Sequence, residues 1–204
     1  MPEPLEFGLP GVELEPGDHI CAMYLGQSER DAIIGPWLRA GLRAGDKVVC
    51  IIDSSPLDEV VASLGDEREV EGYIASRQLE MHTAEETYLR NSPFRSEAML
   101  EFWESTVSAA VAGGSYGFGR GSGEMPWELR NLPARTEFFR YEAAVNRFAP
   151  RYAQAFLCLY DLERFGGGFL VDLLRTHRKL LMGGLILENP HYRPPDDLAA
   201  VPPN

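Results

Sequence analysis

The sequence has few basic residues and no long apolar run. Its 19 lysines and arginines are outnumbered by 31 aspartates and glutamates, which gives a formal net charge of −12 and a pI near 4.8. Such an acidic chain repels phosphate backbones, so we expect no direct binding to nucleic acid. No apolar run can span a bilayer, and the acidic, proline-containing residues 1–15 are unlike a signal peptide. These features predict a cytoplasmic protein with no membrane partner.

Cysteine is also scarce, and the chain has three: Cys21, Cys50 and Cys158. They have neither the spacing of a disulfide framework nor that of a structural zinc site. Each lies in an apolar, strand-like run, which indicates reduced and buried thiols. Of the four histidines, His82, His177 and His191 are scattered along the chain. The sequence therefore predicts no metal site and requires no cofactor.

The 204 residues are enough for one large domain with a substantial core. Apolar, strand-like runs alternate with segments of helical periodicity along almost the whole chain. This alternation favours parallel strands joined by right-handed crossovers. We therefore predict an α/β fold of three layers, with a mostly parallel sheet and helices on both faces. Residues 17–195 are expected to form this domain, 1–16 an N-terminal arm that packs on the surface, and 196–204 a C-terminal tail.

The first predicted unit is a strand over residues 20–25, a tight turn and a helix. Ser28 is a candidate N-cap for that helix, and Gly45 is a candidate stop. Further strands are predicted at 47–53, 78–83, 153–160 and 180–187. Further helices are predicted at 57–64, 72–77, 135–148 and 168–177, with a long one from 96 to the glycines at 113 and 114. Ligands in open α/β sheets bind at the carboxyl ends of the strands, so those ends hold the candidate site.

Eight residues at or near the predicted strands are candidates for ligand binding: His19, Cys21, Tyr24, Arg30, Glu124, Trp127, Tyr160 and Asp161. Aromatic rings can close a pocket, and a guanidinium can bind an anion or a carboxylate. Structural roles remain open for several of them. Arg30 can be a solvated charge or a partner of a neighbouring carboxylate, and Glu124 and Asp161 can cap a helix or a turn. His19 and Cys21 share a strand face, but no nucleophile elbow supports covalent catalysis.

Several segments together resemble the MEDS domain, the methanogen and methylotroph sensory domain also found in a dichloromethane-responsive regulator and in bacterial sensor kinases. The matching segments are HICAMY at 19–24, LRAGLRAGDK at 38–47, GEMPW at 123–127, YE at 141–142, LYD at 159–161, RF at 164–165, ENPHY at 188–192 and PP at 194–195. They cover roughly residues 17–195 in order. The resemblance implies a bacterial signal-transduction module, often fused to output domains.

Residues 40–53 are similar to the helix-to-strand passage of RecA-type and clock-type ATPases, which implies a RecA-like sheet. The phosphate-binding loop of those proteins has the form G-x-x-x-x-G-K-[ST]. Here that place reads LGQSERD at 25–31, without the lysine or the second glycine and with two carboxylates. The glycine-rich residues 115–123 contain no G-K-[ST] either, and we interpret them as a strand end and loop. We therefore expect no ATP hydrolysis.

The predicted function is non-catalytic sensing. A small apolar or aromatic molecule enters a cleft at the carboxyl ends of the strands and biases the loops at 26–31 and 115–127 between two arrangements. Six of the candidates are expected to line this cleft: His19, Tyr24, Arg30, Glu124, Trp127 and Tyr160. A regulatory partner such as a kinase, an anti-sigma protein or a transcription factor, or a second copy of the chain in a homo-oligomer, then receives the signal. Two alternatives remain: a degenerate nucleotide-binding module without hydrolysis, and a pure protein-interaction regulator of a kinase or sigma-factor pathway.

Overall fold

The computed structural model describes residues 5–54, 56–90, 93–130 and 135–194. Pro195 of the last motif and the predicted tail at 196–204 lie outside these residues. Within the described ranges, no helix is both long enough and apolar enough to cross a membrane.

The strands are β1 (Leu5–Glu6), β2 (Glu13–Leu14), β3 (His19–Tyr24), β4 (Lys47–Ile52), β5 (Leu79–Thr83), β6 (Gly119–Glu124), β7 (Gln154–Asp161), β8 (Lys179–Met182) and β9 (Leu185–Glu188). The helices are α1 (Gly26–Ala44), α2 (Leu57–Ala62), α3 (Glu67–Ala75), α4 (Ser96–Trp103), α5 (Ala109–Ala112), α6 (Arg135–Phe148) and α7 (Gly167–Leu174). A π-helical turn, Glu104–Ser108, joins α4 to α5, and 3-10 turns span Pro126–Arg130 and Ala149–Arg151.

Seven strands form one sheet in the order β5-β4-β6-β7-β3-β8-β9. The pairing of β8 with β9 is antiparallel, and the other pairings in this sheet are parallel. The carboxyl ends of the parallel strands therefore meet at one edge, called here the carboxyl edge. Alternation along β3 places Cys21 in the core beneath α4, α6 and α7, and Ile20 in the core beneath α1, α2 and α3. The predicted three-layer α/β fold is confirmed.

The glycine-rich stretch contains a central strand rather than only a strand end and loop. All six residues of β6 are buried between β4 and β7. A Cβ atom on Gly121 would lie 2.4 Å from Cε1 of Phe156, and one on Gly123 would lie 2.3 Å from the Tyr88 hydroxyl. Glycine is required here because aromatic rings pack directly on the strand. Tertiary packing thus overrides the low strand propensity of glycine.

Three local predictions need correction. Ser28 does not cap α1, which begins at Gly26, and the Glu29 carboxylate instead accepts the Leu25 backbone N–H at 2.8 Å. The last predicted strand is a hairpin of β8 and β9, because Gly183 and Gly184 both adopt positive φ angles that turn the chain. The predicted helix at 72–77 begins earlier, since Asp66 caps the first turn of α3.

The predicted N-terminal arm contributes to the core as well as to the surface. Strands β1 and β2 pair in a short antiparallel hairpin. Phe7 of this hairpin is completely buried and packs on Trp37 of α1, with ring centroids 5.0 Å apart. The hairpin therefore packs against α1, and the Phe7 backbone oxygen accepts a hydrogen bond from Arg120 of β6 at 3.4 Å.

Candidate functional site

Arg30 and Glu124 form a buried ion pair at the carboxyl edge. Arg30 follows β3 in the first turns of α1, and its Nη1 donates to Oε1 of Glu124 at 2.8 Å. Their side chains are 2% and 0% exposed. Arg30 also donates through Nε to Asp31 Oδ1 at 3.0 Å. Of the roles left open by the sequence, Arg30 is thus a partner of carboxylates rather than a solvated charge.

Glu124 also holds the end of the neighbouring strand. Its Oε2 atom accepts the backbone N–H groups of Asp53 and Ser54, which follow β4, at 2.7 and 2.5 Å. One carboxylate therefore connects the ends of β4 and β6 with the beginning of α1. Burial raises the pKa of Asp53, although the nearby Arg130 opposes this effect.

Tyr24 and Asp161 lie beside this ion pair, at the ends of β3 and β7. Tyr24 is buried, and its hydroxyl has no hydrogen-bond partner among the residues that the structure describes. Burial, together with the charges of Glu124 and Asp161, raises the pKa of Tyr24. Asp161 is half-buried, and its Oδ1 accepts the backbone N–H of Glu163 at 3.0 Å, which is a turn-capping contact. Tyr24, Arg30, Asp53 and Glu124 are called here the carboxyl-edge cluster.

A depression of about 110 Å³ opens at the same edge of the sheet, between the loop after β5 and the start of α4. We call it the Tyr88 pocket. The residues that line it are Glu86, Thr87, Tyr88, Arg90, Phe94, Arg95, Ala98, Met99 and Phe102. Its inner wall is aromatic and its rim is charged. A second depression of about 310 Å³ is lined only by the N-terminal hairpin, over residues 6–13.

Trp127 forms the layer behind the aromatic wall of the Tyr88 pocket. It lies in the 3-10 turn after β6 and stacks on Tyr88, with ring centroids 4.6 Å apart and an interplanar angle of 10°. Its centroid also lies 4.7 Å from that of Phe94. The buried indole N–H has no hydrogen-bond partner within the described ranges. Packing therefore holds the Trp127 side chain, without a hydrogen bond from its indole N–H.

His19, Cys21 and Tyr160 lie deeper, on the sheet face that α6 covers. Nε2 of His19 lies 3.3 Å from Cys158 Sγ and 3.3 Å from Glu142 Oε2. Nε2 of His177 lies 3.1 Å from the same Glu142 oxygen. His19, Glu142, Cys158 and His177 are called here the His–Glu–Cys cluster, and all four are buried. Tyr160 borders it, with its ring centroid 5.9 Å from that of His177.

Glu142 carries the negative charge of the His–Glu–Cys cluster. Burial, followed by the charge of His19, lowers the pKa of His177. Burial and the charge of Glu142 raise the pKa of both Cys158 and Cys21. A neutral His177 therefore faces the Glu142 carboxyl group near neutral pH.

The eight candidate residues do not line one cleft, because the sheet separates them. Tyr24, Arg30 and Glu124 belong to the face beneath α1, whereas His19, Cys21 and Tyr160 belong to the face beneath α6. Alternation along each strand produces this division. Trp127 lies on the second face, beside the Tyr88 pocket.

Four residues of these sites were not among the candidates predicted from the sequence: Glu142, Cys158, His177 and Tyr88. One signal was available for Glu142. In α6, Phe138, Tyr141 and Val145 mark the apolar face, and Glu142 falls on that face at helical spacing. An acidic residue on the apolar face of a helix requires a buried partner. His177 carried no such local signal.

Comparisons with known proteins agree with this architecture. A family model described as "MEthanogen/methylotroph, DcmR Sensory domain" matches residues 18–178. The transcriptional repressor DcmR of Methylorubrum extorquens strain DM4 is 27% identical to the chain over 177 residues, which is 82% of this chain and 60% of that protein. The chain thus spans less than two thirds of the length of this relative.

Among solved structures, the fold is similar to that of a KaiC-like protein from Pyrococcus horikoshii OT3. The TM-score is 0.60 at 10% identity, over 87% of this chain and 79% of the other. An uncharacterized protein from Pyrococcus horikoshii, in complex with an unknown peptide, has a TM-score of 0.59 at 14% identity, over 82% and 77% of the two chains. These similarities show a RecA-like fold. The family match extends over most of the sequence and includes both clusters, and the chain therefore belongs to the MEDS family of sensory domains.

Proposed function

We propose that this protein is a non-catalytic sensory domain that binds a small apolar or aromatic molecule in the Tyr88 pocket and regulates a partner protein. One observation carries the proposal: the aromatic wall of the pocket continues through Trp127 to the segment that holds Glu124. Membership in a sensory-domain family and similarity to a transcriptional repressor support a regulatory output.

The size and chemistry of the pocket favour a very small ligand. Engineered apolar cavities of about 150 Å³ bind benzene or xenon, and the Tyr88 pocket has about 110 Å³. Tyr88, Phe94 and Met99 offer ring faces and a polarizable thioether, which suit apolar or aromatic molecules. Candidates are therefore one-ring aromatics and short hydrocarbon derivatives, including halogenated ones.

Trp127 gives a route from the pocket to the carboxyl-edge cluster. A ligand that separates Tyr88 from Trp127 moves the turn that begins two residues after Glu124. Glu124 in turn fixes the end of β4 through Asp53 and the start of α1 through Arg30. Occupancy can thus bias the loops at 26–31 and 115–127 between two arrangements, and a regulatory partner can distinguish them.

Two contacts at the start of α1 argue against the alternative of a nucleotide site. A phosphate at a helix N-terminus needs free backbone N–H groups and no competing anion. Here the Glu29 carboxylate already accepts the Leu25 N–H, and Arg30 is committed to Glu124. We therefore do not assign phosphate binding to this turn.

The test is a thermal-shift titration with benzene and dichloromethane as probes, on the wild type and on two variants. Ala98→Phe places a ring inside the Tyr88 pocket, whereas Ala109→Phe places the same ring on an exposed site of the same helical run. Ligand binding to the folded state raises the melting temperature. We expect a concentration-dependent rise in the wild type and in Ala109→Phe, and none in Ala98→Phe.

Equal rises in the melting temperature of the wild type and both variants would mean that the probes bind outside the Tyr88 pocket. That result would refute the pocket assignment. A shift with ATP, GTP or a cyclic dinucleotide, and none with the apolar probes, would favour the nucleotide alternative instead. A captured partner whose binding ignores both probes and is unchanged in Ala98→Phe would favour the pure interaction regulator.

A further inference from the structure

The His–Glu–Cys cluster gathers four metal-binding side chains from four elements. His19 begins β3, Glu142 lies on α6, Cys158 lies on β7, and His177 lies just after α7. Two imidazole nitrogens, one carboxylate oxygen and one sulfur all lie within 4.8 Å of one another. All four residues are buried, and positions 19 and 177 are far apart in sequence. This convergence is a product of the tertiary fold.

The hydrogen bonds around His19 fix its tautomer. The Asn146 amide donates through Nδ2 to the backbone oxygens of Glu142 at 3.1 Å and Thr176 at 2.6 Å. Its Oδ1 atom therefore faces His19 and accepts from Nδ1 at 3.2 Å. Because Nδ1 carries the proton in neutral histidine, the lone pair of Nε2 points into the cluster.

His177 has the same tautomer as His19. The Thr176 hydroxyl donates to the backbone oxygen of Leu173 at 2.8 Å, so its oxygen accepts from Nδ1 of His177 at 2.9 Å. The lone pair of Nε2 again faces inward. In histidines that bind metals, a hydrogen bond from one ring nitrogen typically fixes the ring so that the other nitrogen faces the metal.

The cluster therefore brings acceptors together with too few donors between them. Both Nε2 atoms lie close to Oε2 of Glu142, at 3.3 and 3.1 Å, but without hydrogen-bond geometry. Among the described residues, neither Glu142 oxygen nor Nε2 of His177 has a hydrogen-bond partner. Unpaired acceptors in an apolar core are costly, and a bound cation would satisfy them all at once.

Three separations between ligand atoms are close to those around a tetrahedral ion. Bonds of about 2.0 Å to nitrogen or oxygen and about 2.3 Å to sulfur place neighbouring ligand atoms about 3.3 to 3.8 Å apart. Three of the six separations, 3.1, 3.3 and 3.3 Å, are close to these values, and all four ligand atoms lie within 4.8 Å of one another. Imidazole, thiolate and carboxylate together suit borderline ions of the first transition row.

We propose that His19, Glu142, Cys158 and His177 bind one divalent transition-metal ion, with Zn²⁺ as the best match. Coordination replaces the S–H bond of Cys158 by a metal–sulfur bond and releases the proton to solvent, while both histidines bind through Nε2 without losing a proton. This site is independent of small-molecule binding in the Tyr88 pocket. It lies beneath α6, whereas the pocket opens beside α4.

The experiment combines metal analysis with cobalt spectroscopy on the full chain, freed of any affinity tag. Zinc is measured per chain after purification, then removed with a chelator and replaced by Co²⁺. We expect about one ion per chain, visible bands of tetrahedral Co²⁺ and a near-ultraviolet thiolate band. Cys158→Ala should lose the thiolate band, whereas Cys50→Ala, on the other face of the sheet, should keep it. His177→Asn should weaken Zn²⁺ binding by at least about 100-fold.

The wild-type measurements decide the question even if a variant fails to fold. Protein that contains no stoichiometric metal, takes up neither Zn²⁺ nor Co²⁺ at micromolar concentrations and shows no thiolate band overturns the proposal. Binding that survives unchanged in both Cys158→Ala and His177→Asn also overturns it, since the ion would then lie elsewhere. Failure of benzene and dichloromethane to bind would leave the metal result unaffected.

Discussion

Arg30 and Glu124 are 94 positions apart, yet their side chains meet at 2.8 Å in a buried ion pair at the carboxyl edge of the sheet. The pair lies where β3 passes through a tight turn into α1, and it includes a residue of that helix and one at the end of β6. The two buried charges at this place therefore satisfy each other within the protein.

The first prediction concerns this ion pair. Arg30→Met leaves the Glu124 carboxylate buried without its guanidinium, and breaking such a pair costs about 3 to 5 kcal/mol of unfolding free energy. Urea unfolding should reveal this loss. Arg43→Met, at an exposed site on the same helix, should change stability by less than about 0.5 kcal/mol. A loss in Arg30→Met no larger than that of the control would show that the pair is not structurally important.

The second prediction concerns the central glycine strand. Gly121→Ala should destabilise the protein by about 1 to 3 kcal/mol, because the new methyl group overlaps Phe156. Adding Phe156→Leu should restore part of the loss by making room. Gly72→Ala, inside α3 with no atom within 4 Å of the added carbon, should stabilise by about 0.5 to 1 kcal/mol. Chemical denaturation measures all three, and an unaffected Gly121→Ala protein would contradict the packing described.

The third prediction is a pH dependence at the edge strand β5. Burial would raise the pKa of Glu80, but the hydrogen bond and charge of Lys47, with the charge of Arg77, lower it overall. A lowered folded-state pKa contributes stability that is present above the unfolded value of 4.5 and lost as the pH falls through the folded value. Glu80→Gln should therefore have a lower unfolding free energy than the wild type at about pH 7. The difference between the two proteins, measured by chemical denaturation, should become smaller towards about pH 3.

His82 lies 3.7 Å from Glu80 and faces the same carboxylate, so the comparison should be repeated with His82→Gln as background. Glu71→Gln, an exposed site on α3, is the matched control. A stability gap between Glu80→Gln and the wild type that stays constant over this pH range would be inconsistent with the lowered pKa.

The fourth prediction separates positioning from ligation in the His–Glu–Cys cluster. Asn146 touches His19 but supplies no inward-facing ligand atom. Asn146→Leu should therefore weaken Zn²⁺ binding by about 10- to 100-fold while the cobalt thiolate band of Cys158 remains. Competition with a chelator of known affinity measures the first quantity, and absorbance measures the second. Loss of the band in this variant would mean that Asn146 does more than orient His19.

Local patterns were sufficient for much of the fold. The apolar periodicity of α6 predicted both of its ends, at residues 135 and 148, because helix periodicity is a local property. The strand at 119–124 was interpreted from the sequence only as a strand end and loop, since glycine has little strand propensity and the packing of Phe156 and Tyr88 on it is a tertiary effect. The same limit applies to the meeting of His19 with His177, because no local pattern relates residues so far apart.

The most direct test of the sensory account is the indole N–H spectrum of the ¹⁵N-labelled protein during titration with benzene. The chain has three tryptophans, and their environments differ. Trp127 backs the Tyr88 pocket, Trp103 donates to the Tyr141 hydroxyl at 2.8 Å, and Trp37 lies in the core on the other sheet face. We predict a saturable shift of the Trp127 signal, assigned with Trp127→Phe, while Trp37 stays in place and Ala98→Phe abolishes the response. An unmoved Trp127 signal at saturating benzene, or equal shifts of all three indoles, would contradict the account.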